Sequence, residues 1–124
     1  MVSRELHHVL IAIPLGGEPA GRAFFRDLVG LTEIRKPANL RARGGIWFQL
    51  GSRQLHLGVE RDFRPASKAH PAIEVDDLSA LRQRLSASGV ETWEDEPLED
   101  YDRFYAKDPF GNRIEFLQRA AQRV

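Results

Sequence analysis

Short apolar runs, each closed by Gly or Pro, set the first expectations. Residues 7–13 are rich in aliphatic and β-branched side chains and stop at Pro14-Leu15-Gly16-Gly17, which predicts a strand and then a loop. Pro19 suits the first turn of a helix, Phe24, Leu28 and Leu31 recur at helical spacing, and Gly30 is a natural stop. Residues 32–35 read as a short strand and 37–45 as a loop rich in Arg, Asn and Gly. Residues 46–50 and 54–59 flank Gly51-Ser52-Arg53 and predict a β-hairpin. The order is β-α-β-β-β, and after a polar connector at 61–69 it repeats. Residues 70–75 form a strand in which Pro71 implies an early or edge position. Asp76 or Asp77 caps a helix whose buried stripe is Leu78, Leu81 and Leu85, and Gly89 closes it. Residues 90–93, 103–106 and 113–117 read as strands. An acidic loop, 94–102, precedes the second of these, and the turn signal Asp108-Pro109-Phe110-Gly111-Asn112 joins the last two.

The chain therefore reads as two copies of one βαβββ module, the first spanning about 4–60 and the second about 70–118. The offsets agree: 62 positions from His8 to His70, 59 from Gly30 to Gly89 and 59 from His56 to Glu115. One such copy is too small to bury both its helix and its sheet, so the two are expected to share a core. The expected fold class is α+β, a single domain over 1–124. Its two modules form a curved mixed sheet with helices on the convex face.

Composition narrows the function. Lys+Arg and Asp+Glu both number 18, and this balance argues against a nucleic-acid partner. There is no cysteine, so thiolate metal sites, disulfides and a Cys nucleophile are out. The longest apolar run, 9–15, is too short to span a bilayer, and residues 1–8 lack a signal-peptide pattern. A soluble, cytoplasmic domain is expected.

Alternation along the strands then places the candidate chemistry. Val9, Ile11 and Ile13 oppose His8, Leu10 and Ala12; Leu55, Leu57 and Val59 oppose Gln54, His56 and Gly58. Ile73 and Val75 oppose His70, Ala72 and Glu74, while Ile114 and Phe116 oppose Arg113, Glu115 and Leu117. Each of these strands has an apolar face for a helix and a face bearing one His or Glu. His8, His56, His70 and Glu115 thus converge on one surface, and three imidazoles with one carboxylate suit a first-row divalent ion: Ni, Zn, Co, Mn or Fe. His7 is expected on the opposite face, in a structural role. Arg103, Tyr105 and Arg113 share the face of Glu115 and either bind a polar substrate or serve structure. Trp47 and Gln49 are candidate pocket residues, with core packing the alternative for Trp47. The basic residues Arg35, Lys36, Arg41 and Arg43, like the acidic loop, read as a solvated surface.

The chain resembles the vicinal oxygen chelate superfamily, also called the glyoxalase/bleomycin-resistance/dioxygenase superfamily, over roughly 7–117. The resemblance rests on His8-Val9, on Phe24-Phe25-Arg26-Asp27-Leu28-Val29-Gly30-Leu31, on His70, and most specifically on the segment Asp108-Pro109-Phe110-Gly111-Asn112-Arg113-Ile114-Glu115-Phe116. It implies paired modules around one divalent metal, with ligand positions at His8, His56, His70 and Glu115. Glyoxalase I members typically carry Glu where this chain has His56, and bleomycin-binding members lack the ligands. The resemblance implies a metal-dependent enzyme acting on a small substrate gripped through adjacent oxygens: an isomerase or lyase, a ring-cleaving dioxygenase or an antibiotic-modifying transferase. Glu115 or His56 would move protons, and a homodimer is expected. The alternative is a metal-free protein of the same fold that sequesters a drug.

Overall fold

The computed structural model describes residues 1–121 and divides into two compact units, Met1–Arg64 and the residues from Pro65 onward. The division falls inside the polar connector. In the first unit, β1 (His8–Ile13) is followed by α1 (Glu18–Gly21), which widens into a π-helical segment over Arg22–Leu28. Then come β2 (Thr32–Ile34), a 3-10 helix (Ala38–Arg43), β3 (Ile46–Leu50) and β4 (Arg53–Val59). The sheet order is β1-β4-β3-β2, with β1 parallel to β4 and the other pairs antiparallel. The second unit repeats this plan with β5 (Ala72–Glu74), α2 (Leu78–Ala87), β6 (Thr92–Trp93), β7 (Tyr101–Lys107) and β8 (Arg113–Arg119). Its order is β5-β8-β7-β6, and β5 runs parallel to β8. The α+β duplication is thus built as two four-stranded mixed sheets, one in each unit.

Each unit buries the apolar side of its own sheet. Phe24, Phe25, Ile46, Phe48, Leu55 and Leu57 are at most 2% exposed in the first. The Phe25 and Phe48 rings meet at 6.0 Å, so the π-helical segment covers β3. In the second unit Ile73, Leu81, Leu85, Phe104, Ile114 and Phe116 play the same part. Burial stabilises by roughly 1.5–3 kcal/mol for each large side chain, and this is what chiefly holds each sheet to its helix.

Several local expectations change in detail. The spacing of Phe24, Leu28 and Leu31 predicts an ordinary α-helix. The backbone instead widens so that Val29 N donates to Phe24 O, five residues back, and Phe24 and Phe25 are both buried while Leu28 and Leu31 are only half-buried. The 37–45 loop contains a 3-10 helix. β5 begins only at Ala72, after Pro71, so His70 precedes the strand. Asp77 is the cap of α2, its carboxylate accepting from Ala80 N at 3.0 Å. The turn after β7 is organised by Asp108. One carboxylate oxygen accepts from the backbone N–H groups of Phe110 and Asn112, and the other from the Asn112 amide at 2.8 Å. Burial raises the Asp108 pKa above the ordinary carboxylate value, while the bonds to Asn112, Phe110 and Gly111 pull the other way. Among the described residues, no helix is long and apolar enough to cross a membrane.

Gly44 and Gly45 carry the chain from the 3-10 helix into β3, both at positive φ. A Cβ on Gly45 would lie 2.2 Å from the Leu57 carbonyl oxygen, whereas one on Gly51, also at positive φ, would meet nothing within 4 Å. Gly45→Ala is expected to cost about 3 kcal/mol or more and Gly51→Ala about 1 kcal/mol in urea unfolding. Equal losses would show that the close approach at Gly45 is not what constrains this corner.

Candidate functional site

The parallel register of β1 and β4 sets His8 opposite Gln54, Leu10 opposite His56 and Ala12 opposite Gly58. The antiparallel register of β3 and β4 sets Trp47 opposite His56 and Gln49 opposite Gln54. His8, His56 and Trp47 therefore share one sheet face, away from the phenylalanine core. They form a stack: the His56 ring lies 4.0 Å from Trp47 at 3° and 4.2 Å from His8 at 16°. His56 is only 4% exposed, buried between its two neighbours. Its Nε2 meets Gln54 Oε1 at 2.8 Å; with the amide oxygen toward the ring, Nε2 donates and Nδ1 keeps its lone pair. Burial first, then the nearby His8, His7 and Lys36 charges, lower the His56 pKa to about 4.

His7 departs from expectation. It precedes β1 rather than alternating within it, and its Nδ1 lies 2.9 Å from Nδ1 of His8, so one ring donates to the other. Both rings line the same cavity as His56 and Trp47. Strand alternation fails here because it holds only for residues inside the ladder. Lys36 and Arg43 line this cavity too, although their loop read as a solvated surface. Gln49 does not: its amide turns back to donate to Gly51 O at 2.7 Å within the hairpin. Trp47 lines this cavity and is half-buried.

The second unit repeats the geometry with different chemistry. Ala72 and Tyr105 flank Glu115 in the registers of β5–β8 and β7–β8, the places that Leu10 and Trp47 hold around His56. His70, two residues before Ala72, reaches the carboxylate, with Nε2 2.9 Å from Glu115 Oε1. The other ring nitrogen, Nδ1, lies 3.0 Å from the Lys68 carbonyl oxygen. A carbonyl only accepts, so Nδ1 carries a proton and donates. Nε2 and Oε1 are then bridged by a proton, carried by either atom, or by a metal ion.

The remaining polar residues surround Glu115. Arg103 donates through Nη1 to the Tyr105 hydroxyl at 3.0 Å, lies 3.5 Å from Glu115 Oε2, and donates through Nη2 to Glu96 O. Arg113 lies over the Tyr105 ring at 4.0 Å and 3.5 Å from Asp95. The His70 and Trp93 rings complete the setting of Tyr105, at 5.2 and 5.8 Å. Arg103, Tyr105 and Arg113 are thus built together, and part of the acidic loop serves to hold them. The Nε atoms of both arginines are buried without a hydrogen-bond partner.

The predicted ligands stand as two pairs, His8 with His56 and His70 with Glu115, one in each unit. Among the described residues, no group of three or more His, Asp or Glu is placed to hold a metal ion. The donor chemistry of the second pair nevertheless fits one. Two adjacent ligands on an ion with bonds of about 2.1 Å at right angles lie about 3 Å apart. A metal-binding histidine also commonly donates its other N–H to a backbone carbonyl, as His70 does to Lys68.

Similar proteins agree with the fold. The solved structure of a putative glyoxalase family protein from Bacillus anthracis is 42% identical, covers 97% of this chain and 98% of its own, and has a TM-score of 0.91. The lactoylglutathione lyase from Agrobacterium tumefaciens is 20% identical, with 94% of each chain covered and a TM-score of 0.68. The fosfomycin resistance protein FosX from Listeria monocytogenes is 15% identical, with 100% of this chain and 97% of that one covered and a TM-score of 0.71. No curated protein sequence gives a significant match. The family model for the Glyoxalase/Bleomycin resistance protein/Dioxygenase superfamily matches residues 6–116, and the chain belongs to that superfamily.

Proposed function

We propose that the protein is a divalent-metal-dependent enzyme acting on a small, oxygen-rich substrate held through adjacent oxygens. The reaction is an isomerisation or lyase step, a ring-cleaving dioxygenation or a transfer onto an antibiotic. The observation that carries this reading is the facing of His70 Nε2 and Glu115 Oε1, with His70 Nδ1 committed to Lys68 O. The ligand set that the sequence offers is His8, His56, His70 and Glu115. The ion when bound supplies Lewis acidity, polarising substrate oxygens.

The chain's own residues do the rest. Gln54 occupies His56 Nε2, so the atom His56 has to offer is Nδ1, on a ring held neutral, the form a metal accepts. Glu115 or His56 moves protons; Glu115 is buried, with one oxygen facing His70 Nε2 and the other Arg103. Arg103 and Arg113 hold Tyr105 and the carboxylate in place and favour an anionic substrate. A divalent ion with one carboxylate ligand keeps a net positive charge, which also favours anionic oxygens. The lactoylglutathione lyase and FosX relatives fit this class of chemistry, but His56 stands where glyoxalase I enzymes typically have Glu. We place the enzyme in the cytoplasm as a homodimer, since β1, β2, β5 and β6 are each the edge of a four-stranded sheet and open edges tend to be paired or covered.

Protein purified without a His tag is expected to carry, or take up, one Ni, Zn, Co, Mn or Fe ion per domain by elemental analysis. His8→Ala, His70→Ala and Glu115→Ala should each weaken uptake by at least about 100-fold in calorimetric titration. No uptake after reconstitution would overturn the enzyme reading in favour of metal-free drug sequestration.

His56 gives a pH dependence in metal-stripped protein. Its folded pKa, about 4, lies below the unfolded value, so between pH 6.5 and 4 the unfolded chain binds the extra proton. The stability associated with neutral His56 is therefore complete above about pH 6.5 and lost as pH falls, by about 3 kcal/mol once below pH 4. His56→Gln should flatten that part of the urea-unfolding profile. An unchanged profile would mean that the ring is not held neutral. Light scattering should give a dimer at micromolar concentration, and a monomer with full metal occupancy would refute the homodimer.

A further inference from the structure

The first-unit cavity has a volume of about 490 Å³, far more than a metal ion and its waters need and within the usual range for small-molecule sites. Its lining contains no Asp or Glu, although the chain as a whole has equal numbers of acids and bases. Lys36 and Arg43 line it together with His7 and His8. The charge surplus is therefore one of placement, not of composition.

That placement is built into the loop. The Lys36 ammonium donates to the Gly44 carbonyl, which fixes its position and leaves two of its N–H groups for a ligand. The Lys36 carbonyl in turn accepts from Arg41 Nε at 3.0 Å. Glu18 accepts from Gly45 N at 3.2 Å and is not part of the lining. Gly44 and Gly45 permit the close approach of the loop to β4 that forms the wall. The remaining lining is apolar: Leu10, Leu40, Leu57 and Val59, with the indole of Trp47. Leu10 is 57% exposed and lies over Gly58, where a Cβ would come within 2.9 Å of its Cδ1.

We propose that this cavity is a subsite for a small organic anion with an apolar body. Lys36 and Arg43 take its carboxylate or equivalent oxyanion, and Leu10, Leu40 and Val59 take the body. This deepens the functional reading above and rests on it, because His8 and His56 belong to the same cavity wall. It names the part of the substrate remote from the reacting oxygens. A charge-assisted bond to each cation is what separates such an anion from its neutral isostere.

The test uses the full-length chain with Trp93→Phe, which leaves Trp47, in the cavity wall, as the sole tryptophan. In the presence of a chelator, Trp47 fluorescence is titrated with 4-phenylbutyrate, with its neutral amide and with acetate. The proposal expects saturable binding of 4-phenylbutyrate, at least about tenfold weaker binding of the amide, and comparable weakness for acetate. Lys36→Met with Arg43→Met should bring the anion down to the level of the amide and leave the amide unchanged. Arg43→Met alone, which leaves the Lys36–Gly44 bond in place, should show part of the loss. Equal affinity for anion and amide, an anion affinity indifferent to these substitutions, or binding seen only after metal is restored would each overturn the proposal. Because binding is read without metal and metal uptake without ligand, failure of the subsite and failure of the metal reading give different results.

Discussion

In each unit the first strand lies parallel to the last, and the location of every candidate ligand follows from that pairing. A parallel neighbour cannot be reached by a tight turn, so the chain must leave the sheet, cross over it and return. The crossover carries the helix, which buries one face with Phe24 and Phe25 in the first unit and Leu81 and Leu85 in the second. The opposite face is left to polar chemistry. Because β1 aligns Leu10 with His56 and β5 aligns Ala72 with Glu115, the histidine two residues earlier falls beside the middle of the last strand in both units.

The same frame carries two different chemistries. In the first unit the partner opposite the central residue is Trp47, and the outcome is a stack of three flat rings around a neutral imidazole. In the second it is Tyr105, gripped by two arginines, and the central residue is a carboxyl group facing a histidine. Duplication supplied equivalent positions, and substitution at those positions divided the labour. Burial keeps His56 uncharged near neutral pH, whereas Arg103 lies beside the Glu115 carboxyl group.

The walls of the first-unit cavity depend on backbone as much as on side chains. Gly44 and Gly45 adopt positive φ so that the 3-10 helix can turn sharply into β3 and bring Lys36 against it. Gly58 leaves the space that Leu10 fills. An apolar floor and a cationic rim then arise from residues distant along the chain.

His70, expected within a strand, precedes β5, but the duplicated β-α-β-β-β order, its α+β class and the strand faces that carry His8, His56 and Glu115 were legible in the sequence. All follow from periodicity and turn residues, which act over a few neighbours. The Asp77 cap and the Asp108 turn were legible for the same reason, since each satisfies backbone N–H groups within four residues. Tertiary structure alone decided the π-helical widening that buries Phe24 and Phe25 side by side, because the demand comes from the sheet beneath. It also decided that His7 joins His8, that Gln49 turns away into its hairpin, and that Lys36 and Arg43 form a cavity rim instead of a solvated patch. None of these has a periodic signal: His7 lies just outside the ladder, and the lysine is positioned by a carbonyl eight residues away. Local pattern fixes which face a strand residue takes, but which loops close over that face depends on where distant backbone is allowed to approach.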